Sequence, residues 1–429
     1  MFGGAPATSR RLKVAQFIDN YGPGSNGLMF AVQHLEGNLL DAGHEVVVVA
    51  PKAKGPNPHF GREGRQELRL PSMRVPRLPT RVANGRQFEK TIEQIEQLRP
   101  DVLHVHGFGP IGALGVWAAK RCGLPMILTW HTDFDAYADH YSAILPLVNP
   151  VVQVFARMSH GEVIGSRQLR EAADRWEGRG RSTATVLGLC QAMLEAADVV
   201  TTPSPKTAER CRELVPDLNI RVMPNGVDPL PAGPPPMERS AGPLVLYAGR
   251  IAPEKGIILL TEAFELVAAA RTDARLMVVG DWQRYSRIEK ALARGRDLGW
   301  IILPGEQKRD DLGAFYGMSD IFAFPSQTDT QALVLHEAAL AGLPIVSVDP
   351  DLRLVLEPGV NGELTRPTPA SLAAGILRVI DRLQDPGWKT RAADTSRRLA
   401  GQWTIESQAV EMLDLYAEAA ASRFAGLDA

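Results

Sequence analysis

Cysteine is scarce in this chain of 429 residues: only Cys122, Cys190 and Cys211 occur. Their spacing fits no metal-ligand pattern, and an odd number argues against a disulfide framework. An excess of one charge is lacking too, since 47 Lys and Arg stand against 49 Asp and Glu, a formal charge of −2. No global field calls for nucleic acid, so that class of partner is not expected. No apolar run reaches the ~18 residues that a membrane span needs. The stretch Met1 to Arg11 is rich in Gly, Ala and Ser and basic, with no apolar core behind it. It reads as a frayed tail rather than a secretory or transit signal. No short-period repeat or low-complexity block is visible. These absences point to a soluble cytoplasmic protein, with peripheral contact on an anionic membrane face as the finer expectation.

What is present is alternation. The length exceeds one typical core, so two domains are expected. Leu12 to Ile18, Glu45 to Ala50, Asp101 to Val105, Met126 to Trp130 and Asp198 to Thr202 are apolar and β-rich. Leu28 to Leu40 and Ile111 to Arg121 read as helices between them. That order predicts an α/β fold with a parallel sheet covered on both faces. Asp228 to Pro236 reads Asp-Pro-Leu-Pro-Ala-Gly-Pro-Pro-Pro, which continues neither helix nor strand and is expected to be a stiff linker. The alternation then restarts, with strands at Leu244 to Ala248, Arg275 to Val279, Trp300 to Leu303, Ile321 to Phe324 and Pro344 to Val348. In open sheets of this kind ligands lie beyond the carboxyl ends of the strands.

The segment Thr328-Asp329-Thr330-Gln331-Ala332-Leu333-Val334-Leu335-His336-Glu337 runs from one such strand end into an apolar helix. A helix start suits phosphate, because its first N–H groups lack intrahelical partners and carry partial positive charge. Two acids flank that start and can hold hydroxyls on either side of the phosphate. The competing reading is a capped core helix with an incidental Asp. Gly249-Arg250-Ile251-Ala252-Pro253-Glu254-Lys255-Gly256 follows another strand. Arg250 offers a planar fork for phosphate oxygens and Lys255 a point charge. Gly249 and Gly256 let backbone approach a ligand closely. Solvated loop cations are the plainer alternative for this stretch alone.

The N-terminal half carries its own candidate groups at strand ends. Gly22 to Gly27 form a Gly-rich turn that lacks the spaced dinucleotide fingerprint. It is either a floor for a ligand or an ordinary βα turn. His104 and His106 share a strand face, since alternate residues point together. No third metal ligand follows them locally, so a polar wall is expected and a metal is not. The polar cluster from Thr129 to Tyr141 puts His131 at a strand end, where it can hydrogen-bond a sugar hydroxyl, with Asp133, Asp135 and Tyr137 nearby. Ile144 to Met158 is apolar, and Arg167, Arg170, Arg175, Arg179 and Arg181 follow it. Together they fit either an anionic membrane face or a solvated helical insertion.

With those motifs in hand, the chain resembles the retaining glycosyltransferases of family 4, which have two facing Rossmann-like domains, the GT-B architecture. The match spans nearly the whole chain. It rests on Gly249-Arg250 with Glu254-Lys255-Gly256, Val278-Val279-Gly280, Phe324-Pro325-Ser326, Asp329 to Glu337, Ala341-Gly342-Leu343-Pro344, and Met223 to Asp228. The resemblance implies an acceptor-side domain over residues 1–228, a linker over 229–243 and a nucleotide-sugar domain over 244–404. It further implies a helix over 405–429 that returns to the first domain. By the same resemblance Arg250 and Lys255 hold the donor diphosphate, supported by the backbone of Thr330, Gln331, Ala332, Leu333 and Val334. Glu337 binds ribose, Asp329 contacts the transferred sugar, and Gly305, Glu306 and Gln307 lie against the base. His131 contacts the sugar, and Gly24, Asn26 and Gly27 belong to the acceptor-side loop.

Two departures stand out. Asp329 occupies the first acid of a two-glutamate motif, and Gln331-Ala332 replace the usual Phe-Gly. The His-Thr…Tyr…His-Tyr cluster is similar to that of bacterial enzymes that glycosylate lipids such as diacylglycerol. The implied activity is retaining transfer of a hexose from a nucleotide-diphosphate sugar to a lipid or small-molecule acceptor. No cofactor or metal is expected, because no Asp-any-Asp motif sits at a donor-site strand end. Domain closure is expected to limit donor hydrolysis. A nucleotide-sugar epimerase of the same fold, transfer to a soluble acceptor, and a non-catalytic nucleotide-sugar binder remain as alternatives. Sugar, base and acceptor are not fixed by these residues.

Overall fold

A computed structural model describes residues 10–21, 27–52, 59–74, 81–131, 152–153, 155–176, 178, 180–282 and 285–425. The chain divides into two compact units, Met1–Gly226 with Ile405–Ala429, and Val227–Thr404.

In the first unit the strands are β1 (Lys13–Phe17), β2 (Glu45–Pro51), β3 (Arg65–Leu70), β4 (Ser72–Arg74), β5 (Arg81–Ala83), β6 (Val102–Val105), β7 (Met126–Thr129), β8 (Val199–Thr202) and β9 (Ile220–Val222). Seven of them form one sheet in the order β3-β2-β1-β6-β7-β8-β9, parallel at every pairing. The central strands are buried on both faces, which is why β2 reads as an unbroken Val run. One face packs on the helices Phe88–Leu98, Pro110–Cys122 and Arg181–Glu195, through Phe88, Trp117 and Leu187 among others. The other face packs on Gly27–Asp41 and on the terminal helix Ile405–Ala425, which inserts Met412, Leu415, Tyr416 and Ala419. Gln408 of that helix accepts a hydrogen bond from the Gly226 amide at 2.9 Å, and Glu418 pairs with Arg221 at 2.6 Å. The terminal helix is thus an integral layer of the first unit, as expected.

The second unit repeats the plan with β10 (Leu244–Ala248), β11 (Arg275–Val279), β12 (Ile301–Gly305), β13 (Ile321–Phe324), β14 (Ile345–Ser347) and β15 (Gly362–Leu364). The sheet order is β12-β11-β10-β13-β14-β15, again all parallel. The order reverses beside β10, so the loops after β10, β11 and β13 open at the switch point where such sheets bind ligands. The Pro-rich segment before β10 packs on this unit. Leu230 and Met237 join its core, and a Cβ on Gly313 would stand 2.0 Å from the Pro231 carbonyl. Asp320 ties the segment down by accepting from Arg239 at 2.6 Å and from the Leu244 amide at 3.0 Å.

Candidate active site

The loops at the switch point of the second unit carry the ionic groups. Past β10 the chain makes a short turn, Pro253–Lys255, and stops it at Gly256 with φ 70°. A Cβ there would lie 2.2 Å from the Pro325 carbonyl, so only glycine lets this loop press against the end of β13. Thr328 locks the same contact by donating to the Glu254 carbonyl at 3.2 Å. Two loops far apart in sequence are thereby joined, and Lys255 Nζ comes to 2.5 Å from Asp329 Oδ1. Their side chains are only 18% and 17% exposed, so little water screens the pair. Arg250 pairs with Glu254, whose carboxylate is buried, while the guanidinium stays 42% exposed. The Tyr247 hydroxyl donates to the Arg250 carbonyl at 2.9 Å. Burial, and then the negative charge of Asp329, push that phenol well above its ordinary range, so it remains a donor.

After Asp329 come Thr330, Gln331 and Ala332, and the helix Leu333–Leu340 begins. Gln331 is buried at 3% exposure. Ala332 sits at the helix start with φ 61° and ψ 82°. This is left-handed backbone, which costs an L-residue about 1–2 kcal/mol. That conformation explains the glycine usual at this place in the motif. Here the chain holds it with Ala, and the amides of Leu333 and Val334 still open the helix. Glu337 lies one turn further on with its carboxylate 1% exposed. Tyr316 donates to its Oε2 at 2.9 Å and Arg309 pairs with Oε1 at 2.6 Å. Burial and the neighbouring carboxylate raise the Tyr316 phenol well above its ordinary range. Glu306 and Gln307 follow the end of β12, and Gln307 donates to the Pro304 carbonyl at 2.9 Å.

In the first unit three histidines gather at the ends of β6 and β7. His104 Nδ1 meets the Tyr416 hydroxyl at 2.5 Å, and its Nε2 meets Thr129 Oγ1 at 2.6 Å. Both ring nitrogens are therefore engaged. The His106 ring lies with its centroid 3.8 Å from that of His104, as their alternation on one strand face implies. His106 Nδ1 is 3.3 Å from His131 Nε2. Desolvation drives all three imidazoles below their ordinary pKa, that of His131 to about 3. Asp19, at the end of β1, accepts from the amides of Gly109, Ile111 and Gly112 at 3.0, 2.8 and 3.2 Å. It caps the helix Pro110–Cys122 and so is a structural group. Gly27 opens the helix Gly27–Asp41. Gly24, Asn26, Asp133, Asp135 and Tyr137 lie outside the described residues, as does most of Ile144 to Met158.

Sequence reasoning brought together Arg250, Lys255, Asp329 and Glu337. It missed Arg309 and Tyr316, which hold Glu337, and Tyr416, which holds His104 across the first unit. The run Lys308-Arg309-Asp310 was the available signal for Arg309. Among the arginines read as a basic face, Arg175 has another task. It donates to the Glu213 and Leu214 carbonyls, both at 3.0 Å, and caps the helix Pro205–Leu214. Arg167 pairs with Glu171 one turn away. Among the described residues no helix is long and apolar enough to cross a membrane.

Two parallel α/β units, one with paired cations and acids at its switch point, make an arrangement that can hold an anionic, hydroxyl-rich ligand. Known proteins narrow the possibilities. Residues 25–229 match the family described as Glycosyltransferase Family 4, and residues 242–382 match Glycosyl transferases group 1. The chain is 30% identical over 346 residues to a D-inositol 3-phosphate glycosyltransferase of Xylanimonas cellulosilytica, covering 75% of this chain and 73% of that one. It is 24% identical over 362 residues to an alpha-monoglucosyldiacylglycerol synthase of Acholeplasma laidlawii, covering 82% and 84%. A sucrose-phosphate synthase of Thermosynechococcus elongatus shares the fold with a TM-score of 0.68 and 22% identity, over 96% of this chain and all of that one. The chain belongs to glycosyltransferase family 4, with the GT-B fold, and is a retaining hexosyltransferase.

Proposed function

We propose that the chain moves a hexose from a nucleoside-diphosphate sugar to a hydroxyl of a membrane lipid such as diacylglycerol. The observation that carries the donor half of this reading is the 2.5 Å contact between Lys255 and Asp329. A cation suited to phosphate and an acid suited to sugar hydroxyls are held at one point by loops that glycine packing fixes. Arg250 and Lys255 neutralise the diphosphate, and the amides from Thr330 to Val334 add the partial charge of a helix start. Asp329 reads the transferred sugar and Glu337 the ribose, with Arg309 and Tyr316 orienting Glu337. Glu306 and Gln307 border the base. His131 donates to a hydroxyl of the sugar.

Retention follows from a same-face displacement. The acceptor oxygen bonds to the anomeric carbon as the bond from that carbon to the phosphate oxygen breaks. The acceptor proton passes to the leaving phosphate oxygen. The residues' task is then to stabilise the charge that develops on the diphosphate, which preorganised cations and amides do well in a screened site. The roles given to Arg250, Lys255 and the helix start supply that charge from the chain's own groups.

The lipid acceptor is supported by the likeness to the glucosyldiacylglycerol synthase, which extends over most of both chains. A second reading, a soluble polyol acceptor, is favoured by the likeness to the inositol phosphate glycosyltransferase. One experiment separates them: incubation with a panel of labelled nucleotide sugars, with and without lipid extract. Label entering the organic phase with its anomeric configuration retained is the expected result. Label on a water-soluble acceptor selects the second reading. Interconversion of the sugar without an acceptor, or binding without turnover, would overturn transfer altogether. Sedimentation with anionic vesicles that is released as salt rises would support a peripheral membrane site.

A further inference from the structure

Tyr247 stands on β10, the strand that leads into the loop of Arg250 and Lys255. Its ring fills the core on the sheet face shared with Val245 and Phe264, and the residue is 3% exposed. Phenylalanine would fill that volume without taking a hydroxyl out of water, which costs free energy unless the group is bonded. The hydroxyl therefore points to a task other than packing. It reaches past the end of the strand and donates to the Arg250 carbonyl at 2.9 Å.

The loop is built so that this one bond matters. Gly249 turns the chain with φ 143°, a backbone that L side chains rarely adopt. Its amide donates to the Val279 carbonyl of β11 at 3.1 Å. A Cβ on Gly249 would stand 3.6 Å from the Tyr247 hydroxyl, so the phenol packs against the turn itself. Beyond Arg250, Ile251 and Ala252 are buried. Arg250 thus has an anchored glycine before it, buried residues after it and its own carbonyl tied to β10. Peptide planes are rigid, so fixing those on either side of a Cα fixes the direction in which its side chain departs. The Arg250 guanidinium leaves the loop toward Glu254 and keeps 42% exposure, within reach of a ligand.

We propose that Tyr247 is a positioning residue of the donor site: its buried hydroxyl holds the Arg250 carbonyl and so aims the Arg250 guanidinium at the diphosphate. Burial, and then the charge of Asp329, keep the phenol protonated against the opposing charge of Arg250. The O–H is therefore a donor throughout the neutral range. It brings no charge of its own to compete with Arg250 and Lys255 for the ligand. It also spares the buried end of the strand a second cation, whose desolvation would be costly.

The proposal rests on the reading that Arg250 meets the diphosphate, and a double-mutant cycle separates the two. Titration calorimetry with UDP and with GDP is run on wild type, Tyr247→Phe, Arg250→Ala and the double variant, each checked for cooperative urea unfolding. The nucleotide that wild type binds more tightly is followed. Tyr247→Phe should bind it about fivefold more weakly, the worth of one net hydrogen bond. In the Arg250→Ala background the same change should weaken binding by less than about 1.5-fold, because the group that the hydroxyl aims is gone. A general loss of packing would weaken binding equally in both backgrounds, and that result overturns the proposal. So does a Tyr247→Phe that binds as wild type does while Arg250→Ala binds weakly; the diphosphate role of Arg250 then stands without Tyr247. If Arg250→Ala itself binds as wild type does, that role falls and the proposal falls with it.

Discussion

The two units share a plan and differ in how their strand ends are chemically equipped. In the second unit the switch-point loops hold three ion pairs, Arg250–Glu254, Lys255–Asp329 and Arg309–Glu337, each with a cation that keeps some exposure. In the first unit the corresponding region holds three neutral histidines, His104 and His106 buried and His131 half-buried. On the proposed function, a diphosphate brings charge and is met by charge. On the same reading, the sugar brings only hydrogen bonds and is met by the neutral His131 as well as by Asp329. The difference also bears on stability. The ion pairs hold carboxylates of low exposure, Glu254 and Glu337 at 1% and Asp329 at 17%, so their cost of desolvation offsets much of their attraction, whereas buried neutral imidazoles make the fold sensitive to acid.

The largest expected contrast is therefore with pH. A histidine whose folded pKa lies below its unfolded value, near 6.5, binds its proton more readily in the unfolded chain. Its contribution is fully present above pH 6.5 and is lost as pH falls towards the folded pKa. For His131 that window ends at about 3, and for His336 in the second unit at about 4. His104 and His106 are depressed in the same direction. Between pH 6.5 and 5, His131 and His336 should each remove about 1.5 kcal/mol, and His104 and His106 act in the same direction. The first unit, where His44, His104, His106 and His131 are all depressed, should lose more than the second, where His336 is. Hydrogen exchange read separately on the two sheets, corrected for intrinsic rates, measures this. Equal loss in both sheets would mean that the histidine cluster is hydrated or charged.

Next in size is the effect of the donor-side cations. Arg250→Ala and Lys255→Ala should each lower turnover by at least ~10²-fold, as expected for groups that stabilise charge in the transition state. Steady-state rates near wild type in both would remove the proposed diphosphate site. A smaller effect belongs to Ala332. Its φ of 61° is relieved by glycine, so Ala332→Gly should raise stability against urea by about 1 kcal/mol. A destabilised variant would show that the Ala332 methyl group makes contacts that outweigh the backbone strain.

The contrast also explains what the sequence made legible. β10 and β13 were readable as unbroken apolar runs, and β11 as one after Arg275 at its edge, because strand positions buried on both faces exclude unpaired charge. β3 was not, since at the sheet edge it reads Arg-Gln-Glu-Leu-Arg-Leu. Its charges are absorbed in a network, with Arg65 on Glu36 and Glu67, and Arg69 on Glu67 and the Tyr21 carbonyl. The ionic loops of the second unit stood out because Arg and Lys beside Gly at a strand end are conspicuous. Arg309 and Tyr316 did not, because their meaning depends on a helix twenty or more residues away folding back to Glu337. The link from Tyr416 to His104 spans 312 residues and has no local pattern at all. Long-range polar contacts are set by packing, and packing is not written in spacing.

The division of labour between the units has one direct test. Titration calorimetry with the nucleoside diphosphate alone should be run on wild type, Lys255→Ala, Glu337→Gln, Asp329→Asn and His131→Ala, with sugar transfer measured on the same samples. Binding should weaken by about tenfold or more in Lys255→Ala and Glu337→Gln, the size of one charged contact. Asp329→Asn and His131→Ala should bind the nucleotide within about twofold of wild type while losing transfer. Loss of nucleotide binding in a folded Asp329→Asn or His131→Ala, with Lys255→Ala unaffected, would contradict the assignment of charge recognition to the second unit's loops.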